Sequence, residues 1–326
     1  MDIVSVKEYL GQDWIAVQER IVSALDSDIA LLNSTNSSIL SQSGKQLRPM
    51  LALMMARACA GKAVDGSDIY DAASELLHNA TLLHHDVADG SEMRRGKPTI
   101  MSLMGPAVSV LVGDYWLVKA MELILCDSKN DTKAIKIFSK TLSDLAEGEM
   151  LQLQKAQSGD TVEADYLRII YNKTAALFEA ACVTAALSVD APEEYMQAAK
   201  EYAVALGLAF QIKDDILDYD GTESVGKPLG VDILEQKITM PLLGALQNVS
   251  KEEQERVRTM VKDIVGQPEL RDEIVAFVKS NGGLEYSVRR LEEYVAAAVR
   301  ALDVLPQSRE KDFLVQLAHY TGKRNK

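Results

Sequence analysis

Along most of the chain apolar residues recur at intervals of three and four, the spacing that lines one face of an α-helix. Ile69, Ala72, Ala73, Leu76, Leu77 and Ala80 form one such run, and Leu206, Ala209 and Phe210 belong to another that breaks off at Lys213. The segments 67–89 and 193–217 are apolar around most of their circumference, which predicts helices at the centre of a large bundle. Between breaks the chain is rich in Ala, Leu, Met, Glu and Lys, all strong helix formers. The breaks fall near Gly61, at Gly96-Lys97-Pro98, between Asp127 and Asp131, at Pro192, across 219–232 and at Pro306. Asn281-Gly282-Gly283 reads as a helix stop, because no alternating β-branched runs flank it. The pattern predicts an all-α fold of about a dozen helices, without solenoid repeat or low-complexity tract. It gives one domain over residues 1–326.

Composition alters this picture mainly by what it argues against. The chain holds 35 Lys and Arg against 48 Asp and Glu, a net charge of -13. A nucleic-acid binder needs a basic footprint, so that class is disfavoured. An anionic ligand must instead be drawn in by a local basic patch or by bound cations. Cys59, Cys126 and Cys182 are far apart in Ala- and Leu-rich stretches, which predicts buried, reduced thiols. The opening Met-Asp-Ile-Val-Ser-Val-Lys-Glu lacks the features of a signal peptide, and no apolar run approaches the ~18 residues of a spanning helix. A cytoplasmic protein is expected.

Two acidic clusters carry the candidate chemistry. In Leu82-Leu83-His84-His85-Asp86-Val87-Ala88-Asp89, His85 and Asp89 are four apart and Asp86 and Asp89 three apart, so they project from neighbouring points of one helix face. In Gln211-Ile212-Lys213-Asp214-Asp215-Ile216-Leu217-Asp218, Asp214 and Asp218 repeat the spacing with Asp215 beside them. Like charges at that spacing repel, and burying them unpaired is costly. A hard divalent cation with oxygen ligands neutralises such a set. A solvated acidic helix end is the plain alternative for either cluster. It loses ground because both clusters end helices that read as central.

Basic residues accompany them. Lys45 and Arg48 precede an apolar helix, Arg94, Arg95 and Lys97 follow the first cluster, and Lys227 and Lys237 follow the second. Lys173-Thr174 falls mid-helix. Arginine matches phosphate oxygens bidentately and lysine acts as a point charge, so these regions offer metal ligands and phosphate donors together. His78, His84 and His85 lie within eight residues, but no HExxH or paired His/Cys spacing supports zinc. Walker loop, nucleophile elbow and dinucleotide fingerprint are absent from the sequence.

In their order along the chain these motifs resemble the trans-prenyl diphosphate synthases, the polyprenyl synthetases. The resemblance runs through Gly44-Lys-Gln-Leu-Arg-Pro49, Glu75-Leu-Leu-His78, the motif at 85–89 with Arg94-Arg95-Gly-Lys-Pro-Thr, Val112-Gly-Asp-Tyr and Glu147-Gly-Glu. It continues through Lys173-Thr174-Ala, Gly207 to Asp218, Gly226-Lys227-Pro and Asp232 to Pro241. It implies an isoprenoid-synthase-type helical bundle around a deep central cavity, with magnesium, or manganese, held between the two aspartate motifs. By that resemblance His85, Asp86, Asp89, Asp214, Asp215 and Asp218 form the metal sites. Lys45, Arg48, His78 and Arg95 hold isopentenyl diphosphate, and Arg94, Lys173, Thr174, Gln211, Lys227 and Lys237 hold an allylic prenyl diphosphate. Lys173, Thr174 and Gln211 are the catalytic candidates. The family also implies a homodimer without a stable membrane anchor.

His85 departs from the family, which has Asp there. Imidazole is a softer, neutral ligand that favours zinc, manganese or cobalt over magnesium, so metal affinity at this motif is expected to be weaker or its preference shifted. In the family the residues four and five before the motif's first position point down the cavity. Here they are Thr81 and Ala80, both small, which implies a product longer than farnesyl, with Leu77, Tyr115 and Trp116 as candidate floors. A geranylgeranyl-type short-chain synthase, a weakly active regulatory subunit and a terpene cyclase are the competing readings. The retained cations and complete second motif weigh against the subunit, and the Lys45, Arg48 and His78 set against the cyclase.

Overall fold

The computed structural model describes residues 3–42, 44–61, 68–94, 96–127, 129–220 and 230–324. Arg95 and Lys227, two of the expected diphosphate contacts, lie outside the described residues, as does most of the 219–232 break. Two compact units make up the chain: Met1–Ser139 with Ala180–Lys200 and Val304–Leu314, and Lys140–Glu179 with Glu201–Asp303 and Val315–Lys326.

The first unit begins with α1 (Ile3–Leu10), α2 (Gln12–Ala24), α3 (Ala30–Ser41), α4 (Leu47–Ala60) and α5 (Asp68–Ala88). A short antiparallel hairpin follows, β1 (Met93–Arg94) with β2 (Lys97–Pro98), and then α6 (Ile100–Met104) and α7 (Pro106–Leu125). As its apolar circumference predicts, α5 is central. It packs most extensively on α7 and also on α2 and α4, and Tyr70 to Leu77 are all buried. Trp116 of α7 is fully buried and donates its indole N–H to Asn36 Oδ1 of α3 at 2.8 Å, which satisfies the one polar atom it carries inside.

Four helices contribute to both units: α8 (Asp131–Ser158), α10 (Ala176–Ser188), α11 (Glu193–Asp220) and α17 (Arg309–Lys323). The second unit adds α9 (Glu163–Ile170), the π-helical turn Tyr171–Ala175, α12 (Val231–Leu234), α13 (Met240–Leu246), α14 (Lys251–Asp263), α15 (Leu270–Ser280) and α16 (Gly283–Ala301). Here α13, buried over its whole length, packs against α15 and α16.

The all-α expectation is met, with corrections of detail. The helices are more numerous and shorter than the periodicity suggests, because Gly11 (φ 58°) and Gly105 (φ 87°) break runs whose apolar spacing continues across them. The Gly96 turn is a two-stranded hairpin too short to leave an alternating pattern. Asn281-Gly282 does stop a helix, with Gly282 at φ 71°. No disulfide joins the cysteines, but only Cys182 is fully buried. Cys126, at the C-terminal end of α7, is exposed. No described helix is long and apolar enough to cross a membrane.

Candidate active site

Lys173 and Thr174 stand on the π-helical turn rather than in regular α-helix. Such a turn carries one residue more than an α-helical turn and bulges outward, and here its neighbours come too close for side chains. Two glycines are those neighbours. A Cβ on Gly207 of α11 would lie 2.6 Å from Ala175 Cα, and one on Gly148 of α8 would lie 2.7 Å from Asn172 Cβ. The bulge is thus wedged between α8 and α11 and directs residues 173 and 174 to a cavity of about 140 Å³ within the second unit. Lys173, Thr174, Gln211, Asp215, Asp232 and Lys237 all line it.

Hydrogen bonds fix these side chains in a row. Thr174 Oγ1 donates to Gln211 Oε1 at 3.0 Å, and Gln211 Nε2 donates to Asp215 Oδ1 at 2.9 Å. Tyr166 OH donates to Asp215 Oδ2 at 2.6 Å. Lys173 Nζ is held by Glu149 at 2.7 Å and by Gln152 Oε1 at 2.9 Å. Lys237 pairs with Glu235 and lies 3.6 Å from Asp232. Asp215 is 2% exposed. Burial first, and then the Asp232 and Asp214 charges, push its carboxyl well above the usual carboxylate range, against the opposing bonds from Tyr166 and Gln211. Burial and Asp215 likewise raise the Tyr166 phenol. A carboxyl held up by burial and by neighbouring carboxylates ionises readily only beside a cation, and these oxygen donors suit a hard divalent ion.

The three aspartates of the second motif are not equivalent. Asp215 lines the cavity, and Asp214 pairs with Arg324 at 2.7 Å. Asp218 accepts from the backbone N–H groups of Val231 and Asp232 at 3.1 and 3.2 Å, so it caps the short helix α12. Among the described residues no three His, Cys, Asp or Glu side chains are gathered closely enough to form a coordination cluster.

In the first unit the aspartate motif closes α5. Asp86 is 4% exposed and bound by Arg94, with Nε at 2.8 Å and Nη2 at 2.7 Å from Oδ1. The β1–β2 hairpin carries Arg94 back to that position. His85 is half-buried and Asp89 exposed, one helical turn apart and joined by the bond from Asp89 N to His85 O at 2.9 Å. His84 turns away from both and faces Asp114 of α7 at 3.2 Å. Lys45 is exposed, while Arg48 at the start of α4 and His78 in α5 are half-buried. Ala80 is buried and Thr81 half-buried, its hydroxyl donating to the His78 carbonyl at 2.8 Å. Leu77 and Trp116 are buried, and Tyr115 lies where its hydroxyl reaches Asp26 O at 3.3 Å.

The family model for polyprenyl synthetases matches residues 29–278, which takes in both aspartate motifs and the lysine–threonine turn. The chain belongs to the polyprenyl synthetase family. As a member it is an enzyme, a prenyltransferase. It is 37% identical over 327 residues to the octaprenyl diphosphate synthase of Escherichia coli, covering 100% of both chains. Among solved structures it resembles a decaprenyl diphosphate synthase from Rhodobacter capsulatus, with a TM-score of 0.91, 35% identity and 100% coverage of both chains. It also resembles a polyprenyl synthase from Caulobacter crescentus complexed with calcium and isoprenyl diphosphate, with a TM-score of 0.89 and 33% identity, covering 100% of this chain and 98% of the other.

Several residues gathered around this cavity and its motifs escape the sequence. Tyr166 and Gln152 are ordinary helix residues by pattern and Arg324 follows a helix end, and tertiary packing brings them to the motifs. A signal existed for Glu149, which stands in the Glu147-Gly-Glu motif.

Proposed function

We propose that this chain condenses isopentenyl diphosphate with an allylic prenyl diphosphate and builds an all-trans polyprenyl diphosphate longer than farnesyl. The observation that carries the chemistry is the row Thr174–Gln211–Asp215 on one cavity with Lys173 and Lys237. Cations and an acid-held metal end flank two uncharged dipoles, which is what ionising an allylic diphosphate requires. A regulatory subunit has no use for such a row. Support for length comes from the small Ala80 and Thr81 and from the likeness to octaprenyl and decaprenyl synthases. We take residues 1–326 as one polyprenyl synthetase domain acting in the cytoplasm.

By the family resemblance each aspartate motif would hold Mg2+ or Mn2+, His85, Asp86 and Asp89 at the first and Asp214, Asp215 and Asp218 at the second, and the metal would supply Lewis-acid stabilisation of the departing diphosphate. The chain's own residues do the rest. Lys173 and Lys237 grip the allylic diphosphate, a role the family resemblance gives to Arg94 and Lys227 as well, and the tether of Lys173 to Glu149 and Gln152 aims it before the substrate arrives. Lys45, Arg48, His78 and Arg95 hold isopentenyl diphosphate with its double bond beside the allylic carbon. Thr174 and Gln211 turn the negative ends of their dipoles toward the carbocation, and exclusion of water prevents its capture. The proton lost at the end leaves with the diphosphate, so no protein base is needed.

A second copy of the chain is the partner we propose. Leu111, Val118 and Leu125 of α7 are 68%, 54% and 57% exposed and recur every seventh residue, an apolar stripe suited to self-pairing. Incorporation of labelled isopentenyl diphosphate tests the reaction. Asp214→Asn is expected to lower turnover by about 10²-fold. Undiminished turnover in that variant, or none in the parent with any allylic starter, would refute the proposal.

A further inference from the structure

Arg324, immediately after α17, has no part in the motifs, yet it reaches the second one. The residue is 9% exposed, and its guanidinium sits 3.9 Å from the centroid of the Phe210 ring. Its Nη2 donates to the Phe210 carbonyl at 2.9 Å and to Asp214 Oδ1 at 2.7 Å, while Nε is buried without a partner. Phe210 and Asp214 are one turn apart on α11, so the planar group is stacked and clamped at once, a geometry that lysine cannot reproduce.

We infer that Arg324 is a positioning residue that stands in for the divalent cation at Asp214. It holds the carboxylate on the α11 face while no metal is bound, and it is displaced when the cation loads. The inference rests on the reading of Asp214 as a metal ligand. Two chemical facts set the occupancies against each other. The guanidinium takes a position on Oδ1 that a cation would share, and a doubly charged ion beside its unit charge is repelled. Because Arg324 is tied to the end of α17, displacing it releases the last turn of that helix, and metal loading is thereby coupled to the order of the C-terminal segment.

The test measures Mn2+ binding to the full chain by the electron-paramagnetic resonance signal of the free ion, with no substrate present. Arg324→Ala is expected to bind Mn2+ about tenfold more tightly than the parent, the scale set by removing one charge-assisted competitor. Arg324→Lys should return the affinity toward the parental value, since it restores the charge without the stacking. Independently, amide exchange in residues 315–324 of the unmodified protein should speed up when Mn2+ is added. Equal affinity in Arg324→Ala and the parent, or unchanged exchange, overturns the inference. If Asp214→Asn abolishes Mn2+ binding in the same series, that failure belongs to Arg324 alone. Binding indifferent to Asp214→Asn overturns both this inference and the ligand reading beneath it.

Discussion

Asp71 carries both carboxylate oxygens into the interior of the first unit without a hydrogen-bond partner. Burial first, then Asp68 and Asp13, push its carboxyl well above the usual carboxylate range. Those two neighbours are held by Arg20 and Arg57, at 2.8 and 2.6 Å. A raised folded-state pKa means that the fold retains a proton which the unfolded chain gives up. Stability is therefore full below the ordinary carboxylate pKa and is lost as pH climbs toward the raised value. Asp71→Asn removes that loss, so its melting temperature should exceed the parent's by about 2–4 °C at pH 8, with the gap closing toward pH 4. A parallel offset at all pH values would deny the effect. At His85 the prediction concerns metal choice. His85→Asp replaces a borderline nitrogen by a hard oxygen, so the ratio of Mg2+- to Mn2+-supported turnover should rise severalfold, and an unchanged ratio would show that the position does not meet the metal. The i, i+4 spacing made the carboxylate clusters legible at this scale. It could not show that Asp86 is neutralised by Arg94, that Asp218 caps α12 or that Arg324 reaches Asp214, because those pairings depend on how distant segments return.

Among the elements, the π-helical turn at 171–175 matters most for the proposed function. Its sequence, Tyr-Asn-Lys-Thr-Ala, reads as helix, and nothing in a 3.6-residue period distinguishes a turn with one residue added. The cause lies in its neighbours, Gly148 and Gly207, whose missing side chains admit the bulge. Gly207→Ala drives a methyl group into Ala175 backbone at 2.6 Å. It should cost about 1–3 kcal/mol of stability and reduce turnover more than it alters substrate affinity, because Thr174 and Gln211 lose their register. Denaturant unfolding and steady-state kinetics check the two halves. Central α5 and the 202–216 stretch of α11 were legible for the opposite reason, while the first turns of α11 are exposed and not interior as their pattern predicts. Both α5 and that stretch are apolar nearly all round, and such helices have no place but the interior. The β1–β2 hairpin was not, since two residues per strand leave no alternation to read.

For the whole molecule the prediction about assembly is direct. On the proposed self-pairing, the unmodified protein sediments as a dimer in analytical ultracentrifugation, and Val118→Glu, which places a charge in the middle of the α7 stripe, should shift it to monomer with its helical circular dichroism intact. An unshifted dimer would move the interface elsewhere. Product length tests the central claim. The unmodified protein is incubated with isopentenyl diphosphate, a geranyl or farnesyl starter and Mg2+ or Mn2+, and the dephosphorylated products are sized by reversed-phase chromatography. The predicted result is a main product several isoprene units beyond farnesyl, shortened when Ala80→Phe blocks the position before the first motif. A main product that stops at farnesyl or geranylgeranyl, or a profile that Ala80→Phe leaves unchanged, would contradict the account.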